Sequence, residues 1–218
     1  MKIFIDFDDV SFNTGKFVLD LKKVFAKHGI DEKIFAQSYL DYPIRNKNGS
    51  LKKYDVYHHI DILENKIKVD VTNLRKDVDR LISGAKKYLF ADVYDFVSFC
   101  GKSNVYVVSY GDTQLQFDKM IHSGLPENVK NVLISDDLKS KGVAEIIGKD
   151  RIKKSEAMYF LDDRIEQLED VKKKFPRITT ILVKRKQGRY NDAMNGFCDF
   201  EAGDLERAEK IIKDIDGK

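Results

Sequence analysis

Two short stretches of this chain place carboxylates directly behind apolar runs. IFIDFDDV (3–10) carries Asp6, Asp8 and Asp9, and AMYFLDD (157–163) ends in Asp162 and Asp163. If both runs are buried strands of one parallel sheet, their acidic ends meet at one edge. Like charges that close raise one another's pKa unless a cation lies among them. An oxygen-rich cluster of this kind suits Mg²⁺, a hard cation that takes oxygen ligands and often bridges to a phosphate. A third run, NVYVVSY (104–110), ends in Ser109 and Tyr110 and adds a hydroxyl to the same edge. Lys141, just before a helical pattern expected at 142–149, brings an ammonium and helix N–H groups, both of which favour a bound phosphate. Lys139, two residues earlier, is the competing lysine; Lys141 is preferred because it adjoins the helical pattern.

Positioning these groups requires a sheet. KIFIDF (2–7), NVYVVSY, NVLIS (131–135), AMYFLDD and TTILVKR (179–185) are short apolar runs without alternation, separated by helical patterns. Such runs fit strands buried on both faces, and intervening helices imply parallel βαβ units. The expected core is a Rossmann-like, doubly wound α/β domain formed by 1–13 and 86–218. In such sheets ligands bind beyond the carboxyl ends of the strands. Residues 14–85 hold no convincing strand. Helical spacing predicts helices near 15–28, stopped by Gly29, and at 31–41, 54–65 and 72–83. YPIRNKNGS (42–50) reads as a loop. This block is expected to be a helical cap of about 70 residues that closes over the sheet edge, excludes bulk water and favours small substrates. Arg45, Lys47 and Tyr54 are its candidate substrate selectors.

FIDFDDV (4–10), VYVVS (105–109), Lys141 in KSKG (139–142) and YFLDD (159–163) together resemble, in order, the four motifs of the haloacid dehalogenase (HAD) superfamily. The resemblance covers nearly the whole chain. It implies that Asp6 is a nucleophile that forms an aspartyl-phosphate, and that Asp8 is a general acid and base whose backbone carbonyl binds metal. It makes Asp162 a direct Mg²⁺ ligand, Asp163 an outer ligand or orienting group, and Ser109 and Lys141 holders of the phosphoryl oxygens, with Tyr110 beside them. Members that cleave carbon–halogen bonds lack the second aspartate, so Asp8 favours phosphoryl transfer. The chain departs from the pattern at Asp9, where Gly is common, and at Tyr110, where Asn is usual. The implied activity is Mg²⁺-dependent hydrolysis of a small phosphorylated metabolite; the alternatives are phosphotransfer, as in a mutase, and a non-catalytic binding protein of the same fold.

Composition narrows the rest. The 218 residues are 42% hydrophobic and carry a net charge of +3, near balance for a chain with 34% charged residues. Neither a nucleic-acid partner nor a membrane is expected. The basic run KRKQGR (184–189) lacks interleaved aromatics and reads as a solvated loop. Cys100 and Cys198 have no metal-ligand spacing and suit a reducing compartment as core residues. Lys2 and three apolar residues precede Asp6, too few for a signal-peptide core, and no apolar run approaches the roughly 20 residues of a membrane span, so a cytosolic protein is expected. His28, His58, His59 and His122 show no metal spacing; His58 or His59 is a candidate for touching substrate from the cap.

Overall fold

The computed structural model describes residues 1–40, 53–67, 70–135 and 138–217. The loop at 42–50, with Arg45 and Lys47, lies outside the described residues. Six parallel strands form one sheet: β1 (Lys2–Ile5), β2 (Val105–Tyr110), β3 (Asn131–Ser135), β4 (Met158–Asp162), β5 (Thr179–Val183) and β6 (Phe200–Ala202). Their spatial order is β3-β2-β1-β4-β5-β6, all pairs parallel. The five predicted strands are present; β6 is additional, a three-residue edge strand with Phe200 and Glu201 exposed.

The strands lack alternation because both faces are covered. On one face Ile3, Ile5, Val107, Leu161 and Ile181 join one apolar cluster; on the other, Phe4, Val108, Phe160 and Leu182 join a second. Helices α7 (Lys139–Lys149) and α8 (Ile165–Lys174) cover the second face, while α5 (Val93–Cys100) and α9 (Leu205–Asp216) contribute to the first. The fold is a doubly wound α/β sheet. Its strand order reverses between β1 and β4, where the βαβ windings diverge and leave a crevice at the carboxyl ends. Ile5 pairs with Leu161, so the next residues, Asp6 and Asp162, end adjacent strands at that crevice.

Between β1 and α5 the chain inserts α1 (Thr14–Lys27), α2 (Glu32–Leu40), α3 (Val56–Ile67) and α4 (Thr72–Ser83). Helix α1 buries Phe17, Leu21 and Phe25 at i, i+4 spacing and is capped by Asn13, whose side chain accepts from Lys16 N at 2.9 Å. Gly29 ends the helix region with φ 78°, a conformation that costs glycine little. The strands entering and leaving the insertion lie side by side: Asn13 N–H donates to Tyr88 O at 2.7 Å and Phe90 N–H to Ser11 O at 3.0 Å. Cys100 and Cys198 are buried and form no disulfide. No helix among the described residues is long and apolar enough to cross a membrane.

The KRKQGR run departs from its reading as a solvated loop. Arg185 is buried: its Nε donates to Val10 O at 2.8 Å, its terminal nitrogens reach both Asp92 oxygens at 2.8 and 3.0 Å, and its guanidinium lies 3.8 Å from the Phe90 ring centroid. Asp92 Oδ2 also accepts from Leu205 N at 2.9 Å, tying α9 to the same clamp. Replacing Arg185 with Met removes the side-chain donors to Val10 O and Asp92 Oδ1 and leaves Asp92 Oδ2 only Leu205 N. We expect the substitution to lower unfolding free energy by about 2–4 kcal/mol, read from the shift in urea midpoint at unchanged m-value; a loss under about 0.5 kcal/mol would contradict the clamp.

Candidate active site

The crevice edge is built on a buried triad. Lys139 Nζ lies 2.6 Å from Asp6 Oδ1 and 2.6 Å from Asp162 Oδ2, and all three side chains are almost fully enclosed. Asp6 Oδ1 also accepts from Phe7 N at 2.7 Å, while Asp162 Oδ1 accepts from Arg164 N at 3.0 Å. Burial would push the Lys139 ammonium down, but the Asp162 and Asp6 carboxylates outweigh it and hold the lysine charged. Burial pushes Asp6 up to about 7, opposed by Lys139 and reinforced by Asp162 and Asp8.

Lys139, rather than Lys141, is the lysine that contacts the acidic cluster. Helix α7 starts at Lys139, three residues before the expected 142, so Lys139 occupies the first turn. Lys141 follows two residues later, about 200° around the helix axis, and is exposed. The start of α7 is held by α8: Gln167 Oε1 accepts from Lys139 N at 3.1 Å, and Asp170 accepts from Ser140 N at 2.8 Å and from Ser140 Oγ at 3.0 Å. Gly142 lets α7 approach the sheet; a Cβ there would lie 2.7 Å from Leu133 and 3.2 Å from Val108.

Asp163 completes an acidic group with Asp6 and Asp162, one oxygen from each lying within 4.8 Å of the others. Its Oδ2 is buried and lacks a hydrogen-bond partner among the described residues. Burial first, then the charges of Asp6, Asp162 and Asp9, raise its pKa well above the usual range. Fully ionised, three carboxylates and one ammonium carry two excess negative charges, the complement of one divalent cation. An orphaned buried oxygen in such a set fits Mg²⁺, which Asp6, Asp162 and Asp163 would hold. The Ser109 Oγ is also buried without a partner among the described residues. Ile5 pairs with Val107, so Ser109 extends two residues along β2 toward the edge where Asp6 lies.

Asp8 has a different environment. Its Oδ1 accepts from Thr14 Oγ1 at 2.6 Å and from Lys119 Nζ at 2.7 Å, and its Oδ2 accepts from Gln116 Nε2 at 2.6 Å. Burial pushes this carboxyl up, but Lys119, Arg189 and these hydrogen bonds outweigh it and hold Asp8 well below the usual carboxylate range. Lys119 itself sits over Phe7, Phe12 and Phe17, 5.3 to 5.8 Å from their ring centroids. Gly111 makes room for Gln116, since a Cβ there would lie 2.5 Å from Gln116 Nε2. Thr14, Gln116 and Lys119 were not anticipated. Helix α6 (Thr113–Ser123) gives no sequence signal for the last two, because it exposes Phe117 and Ile121 and buries Gln116 and Lys119.

At Asp9 the backbone takes φ 57°, a left-handed conformation in which Asp is better tolerated than most residues. Asp9 is fully buried, and its Oδ2 accepts from Arg189 Nε. Arg189 thus reaches the site from the run expected to be solvated. Two chambers that share lining residues flank these groups. An inner one of about 40 Å³ is lined by Asp6, Asp8, Tyr110, Lys139, Asp163 and Gln167 together with Arg164, Arg189 and Tyr190. An outer one of about 370 Å³ lies between the sheet edge and the inserted helices and includes Tyr39, Lys53 and Tyr54. Tyr110 and Asp8 line both. The histidines do not: His59 is buried within the insertion, bonded to Ser38 Oγ at 2.7 Å and Tyr54 OH at 2.9 Å.

No protein-family model matches this sequence, and no curated protein does. Solved structures do match. A Burkholderia xenovorans protein described as haloacid dehalogenase-like superposes with a TM-score of 0.73 at 16% identity, covering 97% of this chain and 96% of its own. A Bacillus subtilis protein described as a HAD-hydrolase, bound to magnesium, gives 0.61 at 16% identity with 97% of each chain covered. L-2-haloacid dehalogenase of Xanthobacter autotrophicus, with chloropropionic acid covalently bound, gives 0.64 at 12% identity, covering 97% of this chain and 98% of its own. This chain shares the HAD-like α/β fold of these structures.

The triad makes a direct prediction. Lys139→Met leaves Asp6 and Asp162 buried without their cation and is expected to destabilise the metal-free protein by about 3–5 kcal/mol, whereas Lys141→Met changes stability by less than about 0.5 kcal/mol. Thermal unfolding with and without Mg²⁺ checks both, and the cation should restore part of the Lys139→Met loss. Equal effects of the two substitutions would remove Lys139 from the site.

Proposed function

We propose that this chain is a Mg²⁺-dependent phosphatase that hydrolyses a small phosphate monoester through an aspartyl-phosphate on Asp6. The observation that carries this reading is Asp8, two residues beyond the nucleophile and bonded to Lys119 where the two chambers meet. A carbon–halogen bond releases an anion that needs no proton; a phosphate ester releases an oxygen that does. The fold's dehalogenase neighbours share the sheet, and this second carboxylate favours the ester.

Asp6 Oδ2 attacks phosphorus as the bond to the leaving oxygen breaks, with Ser109 and Lys139 holding phosphoryl oxygens. Asp8 is held as an anion, with Lys119 Nζ donating to it from 2.7 Å. The acid is therefore the Asp8–Lys119 pair, which passes one proton to the leaving oxygen. Water then attacks the aspartyl-phosphate phosphorus, Asp8 takes its proton, and Asp6 is regenerated. Bound Mg²⁺ would neutralise charge on the phosphoryl oxygens beside three carboxylates. The inner chamber, with room for only a few water-sized atoms, suits the phosphoryl group, and the outer chamber suits the leaving group.

Asp6→Asn is expected to abolish Mg²⁺-dependent release of phosphate from nitrophenyl phosphate while leaving the unfolding curve cooperative. Near-normal turnover would remove Asp6 as the nucleophile. Asp8→Asn should slow hydrolysis by about 10²–10⁴-fold for an alkyl phosphate and by less for nitrophenyl phosphate, whose leaving oxygen needs little protonation. Equal losses with the two substrates would show that the proton comes from elsewhere. Product analysis with added alcohol acceptors separates hydrolysis from phosphotransfer.

A further inference from the structure

The seam between the two chambers carries chemistry that the phosphatase reading does not use. Arg189, Tyr190 and Arg164 line both chambers. Both guanidiniums lie near the Tyr190 ring, that of Arg189 5.5 Å and that of Arg164 5.0 Å from its centroid. Arg164 is engaged by Glu166 and is largely enclosed. Arg189 is anchored differently. Its Nε donates to the fully buried Asp9, its charge also acts on Asp8, and its two terminal nitrogens make no hydrogen bond among the described residues. A guanidinium fixed at Nε presents the remaining pair of nitrogens as a fork, the geometry that matches a carboxylate or phosphate in two parallel hydrogen bonds.

The anchor is specific to this chain's local backbone. Asp9 occupies a left-handed position with φ 57° that a glycine would take at lower cost, and its carboxylate holds a cation at the edge of the site. The outer chamber supplies the complement to a charged head: Phe17, Val18, Leu21 and Leu115 give apolar wall, with tyrosine rings at Tyr39 and Tyr54. Its volume of about 370 Å³ falls in the range of pockets that enclose small organic ligands.

We propose that Arg189 selects phosphate esters whose leaving group has an apolar or planar body and a second anionic group, a carboxylate or a second phosphate, close to the scissile phosphate. This rests on the phosphatase reading for the placement of the scissile group in the inner chamber. Asp9 is then a positioning residue that aims Arg189.

The test uses three non-hydrolysable probes with the full chain and Mg²⁺ in a titration calorimeter: benzylphosphonate, 2-carboxybenzylphosphonate and the corresponding ortho bisphosphonate. One or both anionic probes should bind about tenfold more tightly than benzylphosphonate, and which one leads identifies the second group as carboxylate or phosphate. In Arg189→Gln that ratio should fall to near one, and in Arg189→Lys it should be partly kept. The ratio cancels a general loss of folding or of phosphoryl contact. A ratio of one in the unsubstituted protein, a ratio that survives Arg189→Gln, or an equal loss with all three probes overturns the proposal; the last would place Arg189 on the phosphoryl group itself. Absence of binding by every probe overturns it as well. Turnover of the matching benzyl phosphates separates the two readings. A binding preference without turnover keeps the anion site and removes the phosphatase, whereas turnover without preference does the reverse.

Discussion

Everything at the crevice depends on one ammonium between two carboxylates. Parallel pairing puts the ends of β1 and β4 side by side, so Asp6 and Asp162 are adjacent by backbone geometry before any side chain is placed. Without a cation that adjacency would cost several kcal/mol for each desolvated charge. Lys139 offsets it from the first turn of α7, and α7 can deliver it because Gln167 and Asp170 hold its first N–H groups and Gly142 lets it lie close on β2 and β3. The chain thus commits three elements, α7, α8 and the β1–β4 pair, to neutralising a charge conflict that the topology creates. Asp163 remains outside this settlement, which is why the set fits a divalent ion as well as a lysine.

A second arrangement joins the inserted helices to the chemistry. Phe7 and Phe12 stack at 4.8 Å, and Phe12 and Phe17 both pack against Tyr88. Phe7 belongs to the loop after β1, Phe17 to α1, and Tyr88 to the returning segment, so one aromatic group spans the junction. Lys119 rests on that group while binding Asp8. The apolar cluster of the insertion is also continuous with one face of the sheet. Displacing the helices as a body would therefore disturb the packing under Lys119, coupling the position of α1 to the carboxylate that would handle protons.

Much of this was legible in the sequence, for physical reasons that also explain what was not. Strands buried on both faces are written as uninterrupted apolar runs, so five strands and the acidic residues that end them could be placed from residues alone. The helices of the insertion followed from spacing, with Gly29 marking one stop. The start of α7 could not be read in the same way. Leu138 precedes it with no side-chain cap, and the capping groups come from Gln167 and Asp170, about 30 positions away. A helix whose start is fixed by tertiary contacts has no local start signal, and for that reason the sequence pointed to Lys141 where the structure brings Lys139 against Asp6 and Asp162. The partners of Asp8 were hidden similarly, since Gln116 and Lys119 are buried polar groups on a helix that exposes Phe117 and Ile121. Arg185 and Arg189 share one basic run yet serve a structural clamp and a chamber wall, a division that composition cannot express.

The paired segments at the root of the insertion have a further consequence. Residues 11–13 and 88–90 are hydrogen-bonded neighbours, so the chain leaves the sheet and returns to it at almost the same place. The 74 positions from 14 to 87 form a closed detour whose length and content do not enter the register of any strand. Loop-closure entropy rises only slowly with length, so detours of different size on such a root differ little in their entropic cost. The scaffold that holds the reacting groups is in that sense separable from the part that faces the leaving group: one can be rewritten while the other keeps its alignment.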